Sequence, residues 1–374
     1  MFFMKKYIVV GAGILGASTA YHLAKAKAEV IVVDRKDIGQ ATDAAAGIVC
    51  PWLSQRRNKA WYQLAKGGAK YYPTLIKELE KDHEKNTGYA RVGAISIHRD
   101  KEKLIAMEKR ALKRKDEAPE MGEVSILTPE ETRELFPPLA DGYGAVHVSG
   151  AARVDGRALR DSLLNGAKKH GAKIIIGDAT LLFEGKQVSG ISVDGNSIFA
   201  DSVIVTAGAW ANQLLEPLGV NFQVHFQKAQ IIHLELPQVN TSEWPVVMPP
   251  SDQYLLAFDE GRIVIGATHE NNVGFDTRIT AGGMQEIFNK ALEIAPGLME
   301  STYMETRVGF RPFTPEFLPV IGELPGYKGI FVANGLGASG LTMGPFIGSE
   351  LAKLALGSKT DIDLDLYDVA GAIK

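Results

Sequence analysis

Apolar residues along this chain recur at two different periods, and the places where the period changes mark its elements. The run KYIVV (6–10) is short and rich in β-branched residues; glycines interrupt it, ILGASTAYHLAKA follows with apolar residues at helical spacing, and EVIVVDR resumes the strand pattern. Strand, helix and strand in that order predict a βαβ unit. A helical pattern covers about 58–82, ARVGAISIH (90–98) reads as a strand, and mixed Lys and Glu over 100–117 predict a solvated helix. LTPEETRELFP predicts a short helix with Thr128 as cap, Pro129 at the first position and Glu131 closing the capping box. Asp155 suits the cap of the next helix, strands run through 173–206, hairpin-like strands dominate about 222–268, and a helix is expected near 280–295. GIFVANGLGASGLTMGPFIGSELAKLAL then gives strand, glycine-rich turn and helix. No internal repeat or low-complexity linker separates these stretches, so the domains are expected to interleave.

Composition narrows the class. A chain of 374 residues, 45% hydrophobic and 23% charged, can bury a large core in two or three domains. A formal charge of -3 and no basic run give no footprint for nucleic acid, so a small bound partner is expected. The lone cysteine, Cys50, excludes a disulfide framework, a CxxC redox pair and a cysteine-built zinc site. His225, His233 and His269 lack ligand spacing, so no metal is expected. MFFMKKYIVVGAGILG has no signal-peptide pattern, and the glycines and His22 argue against a span over 8–24. The expectation is a soluble, cytoplasmic protein, with peripheral membrane contact and a homo-oligomer both left open.

Gly11, Gly13 and Gly16 satisfy GxGxxG between the first strand and helix, and Asp34 closes the second strand. The first glycine permits a tight turn, the second a close approach to a pyrophosphate, and the third close packing of helix on strand. The helix N-terminus offers N–H groups to phosphates, and Asp34 can accept from both ribose hydroxyls. The motif fits NAD or FAD. SVIVTAGAW (202–210) and NGLGASGLTMGP (334–345) are two further small-residue segments suited to close approach, and a cofactor as long as FAD explains a return from distant segments better.

Together, IVVGAGILGASTAYHLA, ATDAAAGIV, GAARVDGRAL, DSVIVTAGAWANQL, RVGFRPFTPEFLPVIG and NGLGASGLTMGP resemble the D-amino acid oxidase superfamily, especially its glycine oxidase and D-amino acid dehydrogenase branch. The resemblance implies an α/β and α+β protein: a discontinuous, Rossmann-like FAD-binding domain (4–87, 145–222 and 308–374) with a second, antiparallel-sheet substrate domain (88–144 and 223–307). It implies that Gly11, Gly13, Gly16 and Asp34, with Ile14 and Arg35 beside them, hold the ADP half of FAD. Thr42, Ala45, Ala46 and Gly47 would follow the pyrophosphate and flavin, and Thr180 would meet the adenine. Ala207, Gly208 and Trp210 would line the cofactor, while Gly335, Gly337, Gly340, Leu341 and Thr342 would approach the pyrimidine end. Some relatives attach flavin through a histidine or a cysteine; Ala44 and the absence of cysteine near the Arg-Pro segment imply non-covalent FAD. Ala338 and Val264 stand where glycine oxidases have an arginine and sarcosine oxidases a lysine, which weakens both narrow assignments.

Oxidising an amine to an imine transfers hydride from the carbon bearing nitrogen to flavin N5, so the protein mainly positions substrate. By resemblance Arg311 clamps the substrate carboxylate and Tyr254 adds a hydroxyl; arginine's planar fork suits that clamp. Pairing of Arg311 with a structural acid such as Glu305 or Glu316 is the plainer alternative, as is a core role for Tyr254. If 303–311 is a strand, Glu305, Arg307, Gly309 and Arg311 share one face, with Gly309 leaving room between the guanidiniums. Arg307, where the family often has tryptophan, then either pairs with Glu305, the favoured reading, or meets a second acidic group of the substrate. The expected activity is amine oxidation of a D-amino acid, glycine or an N-substituted amino acid. Oxidation of a hydroxy acid or polyol and an FAD-holding subunit are the alternatives.

Overall fold

The computed structural model describes residues 5–374; residues 1–4, with the apolar cap and the expected domain start at 4, lie outside it. β1 (Lys6–Val10), α1 (Ile14–Lys25) and β2 (Glu29–Asp34) form the expected βαβ unit, with β1 and β2 parallel and in register from Lys6–Glu29 to Val10–Val33. They are central in a six-stranded sheet whose order is Val320–Glu323, Ile330–Asn334, Ser202–Val205, β1, β2, Lys173–Ile176. All neighbours are parallel except the Val320–Glu323 edge strand. The period-two pattern sorts each strand into two layers. Tyr7 and Val9 face α1 and the helices Gly340–Ala355 and Gly156–Lys169. Ile8 and Val10 face the three-stranded antiparallel sheet formed by Ala179–Glu184, Gln187–Val193 and Asn196–Phe199.

The second sheet has eight strands in the order Thr302–Phe313, His225–Glu235, Arg262–Gly266, Tyr254–Ala257, Val246–Met248, Ala94–His98, Gly144–Val148, Val124–Leu127. Its neighbours pair antiparallel, as expected, except that Val246–Met248 and Ala94–His98 pair in parallel. One face, with Ile232, Leu234, Ile263 and Ile265, packs on the helix Ala281–Ile294; the other, with Ala229, Ile231 and Val264, joins the core of the first sheet's helices. Strands Gly144–Val148 and Thr302–Phe313 both belong to this sheet, so divisions at 144/145 and 307/308 run through two of its strands.

The capping signals act as read. Thr128 accepts from the Glu131 N–H while Glu131 reaches back to the Thr128 N–H, and Asp155 accepts from the Ala158 N–H at 3.0 Å. α2 (Lys59–Lys81) and α3 (Lys101–Lys115) occupy the two long helical patterns. Among the described residues, no helix is long and apolar enough to cross a membrane.

Candidate active site

A cavity of about 600 Å³ opens at the carboxyl ends of β1, β2, Ser202–Val205 and Ile330–Asn334, and the eight-stranded sheet supplies its opposite wall. This is where an open α/β sheet binds ligands, because helix N-termini and loops converge there. The three motif glycines play different parts. Gly11 has φ +103°, and a Cβ on it would stand 2.5 Å from the Thr206 carbonyl oxygen. A Cβ on Gly16 would stand 1.8 Å from the Gly11 oxygen; Gly16 is therefore a packing residue behind the wall and does not line the cavity. Gly13 lines it, and the nearest atom to an added Cβ there is Thr42 Oγ1 at 3.4 Å. The protein leaves Gly13 uncovered.

Thr42 lies far along the chain from α1 yet serves as its cap: Oγ1 accepts from the Ile14 N–H at 2.9 Å, because Gly13 has no side chain to do so. Asp34 is fixed at the end of β2. Its Oδ2 accepts from the Ala12 N–H at 2.5 Å, and its Oδ1 from the Lys36 N–H at 2.5 Å and from Gln40 Nε2 at 2.8 Å. Arg35 pairs with Asp37 and Asp178, and together with Asp34 and Thr180 it lines the cavity. Thr42, Ala45, Ala46 and Gly47 line a second stretch, and Ala207, Gly208 and Trp210 a third. Gly335, Gly337, Gly340, Leu341 and Thr342 contribute a fourth, with Thr342 Oγ1 donating to the Ile48 carbonyl at 2.8 Å.

Arg311 and Tyr254 meet in the sheet wall. Arg311 pairs across the strands with Gln227, and its Nη1 donates to Gln227 Oε1 at 3.3 Å. Tyr254 stands opposite Gly266, whose missing side chain leaves space for the phenol: a Cβ there would lie 2.9 Å from its oxygen. Burial pushes the Tyr254 hydroxyl above its ordinary pKa and the adjacent Arg311 partly offsets this, so the group stays a donor at neutral pH. Burial, reinforced by Arg311, lowers the His269 pKa, and His269 lines the same cavity with its Nδ1 3.4 Å from Asp252. Among the described residues no carboxylate pairs with Arg311, and neither Glu305 nor Glu316 does. The cavity therefore holds a cation whose charge is not balanced by an acid.

Arg307 is placed differently. Its Nε donates to Glu305 Oε1 at 2.8 Å and its Nη1 to the Asp43 carbonyl at 3.4 Å, and it does not line the cavity. The expected room at Gly309 is filled: a Cβ there would meet Ala44 Cβ at 2.9 Å and Ala41 Cα at 3.3 Å, because the Ala41–Ala44 turn crosses the strand at that point. The strand also carries a bulge. Tyr303 pairs with Leu234 and Glu305 with His233, leaving Met304 unpaired and breaking the simple alternation at its start. Replacing Arg307 with methionine is expected to change substrate KM less than threefold while lowering the melting temperature by only about one degree, since a half-buried ion pair is worth about 1 kcal/mol; steady-state kinetics and a thermal melt check this.

Gln40 and Gln227 carry no sequence motif, and their roles beside Asp34 and Arg311 arise from contacts between remote segments. The aromatic cluster beside the cavity was equally unmarked: Phe275 stacks on Trp210 (centroids 5.1 Å apart) and on Phe226 (4.2 Å). Cys50 lines the cavity, and burial pushes its thiol up to about 12, so it stays protonated at neutral pH.

The model of the family described as FAD dependent oxidoreductase matches residues 6–354. The chain belongs to this family. It is 66% identical over 99% of its length to an uncharacterized oxidoreductase of Bacillus subtilis, YurR, all of which is covered. It is 31% identical over 99% of its length to the glycine oxidase of Pseudomonas aeruginosa, again covering all of that protein. In fold it is similar to iminodiacetate oxidase from Chelativorans sp. BNC1, with TM-score 0.94 and 47% identity over 97% of this chain and 98% of that one. It is an oxidoreductase with the glycine oxidase fold, and FAD is its cofactor. The residues fit that group: the uncovered Gly13 at the N-terminus of α1 leaves space for a pyrophosphate, and Asp34 waits at the end of β2.

Proposed function

We propose that this flavoprotein oxidises the C–N bond of a small amino acid, with glycine and N-substituted glycines as the central substrate class and D-amino acids within reach. The observation that carries the reading is Arg311, a guanidinium in the cavity wall with no acid to balance it and with Tyr254 beside it. Such a fork accepts a carboxylate through two parallel hydrogen bonds and so fixes both position and direction. Glycine oxidase and iminodiacetate oxidase, by name, act on compounds with an amine one carbon from a carboxylate. Gly11, Gly13, Ile14, Asp34 and Thr42 would hold the ADP half of FAD, with Gly335, Gly337, Gly340, Leu341 and Thr342 at the far end. Bound FAD supplies the acceptor for the two electrons and hydrogen lost from the carbon.

The chain's own residues do the rest. Arg311 neutralises and orients the carboxylate, and Tyr254 donates to it. His269, neutral because it is buried beside Arg311, adds no second charge against the amine. Trp210 and the buried Phe310 line one side of the cavity and exclude water from it. The imine product hydrolyses to an oxo acid and ammonia or an amine. Anaerobic addition of glycine, sarcosine, iminodiacetate and D-amino acids to the yellow holoprotein is expected to bleach its absorbance with at least one of them. Bleaching by none, while a hydroxy acid does bleach it, would overturn the proposal.

A further inference from the structure

Ser54 lies in the wall of the cavity and also in that of a second pocket of about 440 Å³, which the proposed chemistry does not use. Its charged lining is Arg56, Arg57, Lys59, Arg110 and Arg114, with no acid among its wall residues. Two of the guanidiniums are built in. Arg56 stacks 4.7 Å over the ring of Trp61, itself part of the cavity wall, and donates to the Phe317 carbonyl. Arg114 lies 4.7 Å over the Tyr62 ring and donates to the Trp52 carbonyl. Both are thus held by rings and neutral oxygens, which leaves their charge uncompensated. Arg110 donates to the Ala106 carbonyl, and Arg57 and Lys59 are exposed.

Nearby cations are treated otherwise: Lys66 pairs with Glu117 and Lys115 with Glu123. Among the described residues, none of the five lining cations has an acidic partner, and α3 behind them carries seven basic residues against two acidic ones. Two acids act on Tyr62 in the pocket wall: Glu117, which is engaged by Lys66, and Glu120. The whole chain carries -3, so this positive concavity is local and opposite in sign to the rest. Such a field draws small anions to the pocket, the more strongly the greater their charge, and salt screens it.

We propose that this pocket is an anion-binding vestibule that gathers small dicarboxylic amino substrates beside the cavity before their first carboxylate reaches Arg311. The last clause rests on the proposed function; binding of a dianion at the vestibule does not. Malonate and acetate, which cannot be oxidised, are titrated calorimetrically against the FAD-loaded protein, its Arg311→Met variant and the triple variant Arg57→Gln/Lys59→Gln/Arg110→Gln. Among the described residues, these three side chains make no side-chain hydrogen bond or ion pair beyond the Arg110–Ala106 bond.

At low ionic strength malonate is expected to bind at least tenfold more tightly than acetate, to keep that advantage in Arg311→Met, and to lose it in the triple variant and at 0.5 M salt. The ratio of kcat/KM for iminodiacetate to that for glycine is expected to fall about tenfold in the triple variant. An unchanged malonate affinity and salt dependence in the triple variant would overturn the vestibule, as would equal losses for malonate and acetate. Should no amino acid bleach the flavin, the proposed function fails while the malonate titrations still decide the vestibule.

Discussion

Arg311→Met is expected to lower kcat/KM for the best amino acid substrate about a hundred- to a thousandfold, mostly through KM, with FAD content unchanged. The charge-assisted pair it removes is fully desolvated once substrate is bound, and breaking such a pair costs about 2–5 kcal/mol. Methionine keeps the stem's packing on the strand while deleting the fork, so loss of fold does not confuse the result. Gln227 loses only one long hydrogen bond, and Tyr254 loses a neighbouring cation. Arg311→Lys restores the charge but not the two parallel donors, and is expected to recover less than a tenth of the loss. Anaerobic stopped-flow reduction with increasing substrate separates binding from chemistry. A kcat/KM within fivefold of the parent in Arg311→Met would remove Arg311 from the substrate site.

Gly13→Val is expected to give a colourless but folded protein, with FAD affinity lowered about a hundredfold. Gly13 has φ -65°, which any residue adopts, and its Cβ direction points into the open cavity. A valine there fills the space a pyrophosphate needs and touches little else. Gly16→Ala makes the opposite prediction. Its Cβ would lie 1.8 Å from the Gly11 oxygen, a backbone atom with no means of escape, so α1 must move off β1 and the melting temperature of the apoprotein falls by several degrees. Thermal melts of apoprotein and fluorescence titration with FAD distinguish the two. Equal loss of stability in both variants would show that Gly13, too, is a packing residue.

The elements were legible because periodicity and punctuation are local. Thr128, Pro129 and Glu131 cap a helix whatever lies around them, and the alternation of Tyr7 to Val10 sorts residues between two layers wherever the strand sits in its sheet. The bulge at Met304 was not legible, since nothing in a run of extended residues says which of them the partner strand will skip. Nor was the parallel pairing of Val246–Met248 with Ala94–His98, two segments about one hundred and fifty positions apart.

The two arginines of TRVGFRPF show the same division. Strand periodicity places Arg307 and Arg311 on one face, and that much the sequence determines, along with a glycine motif, its closing acid and a chain able to enclose a long cofactor. Which guanidinium faces the cavity is decided by the Ala41–Ala44 turn, which crosses at Gly309, leaves Arg307 with Glu305 on one side and puts Arg311 in the cavity wall on the other. Local pattern fixes where a side chain points relative to its own strand; what it points at depends on segments hundreds of residues away, whose positions are set by the packing of the whole core.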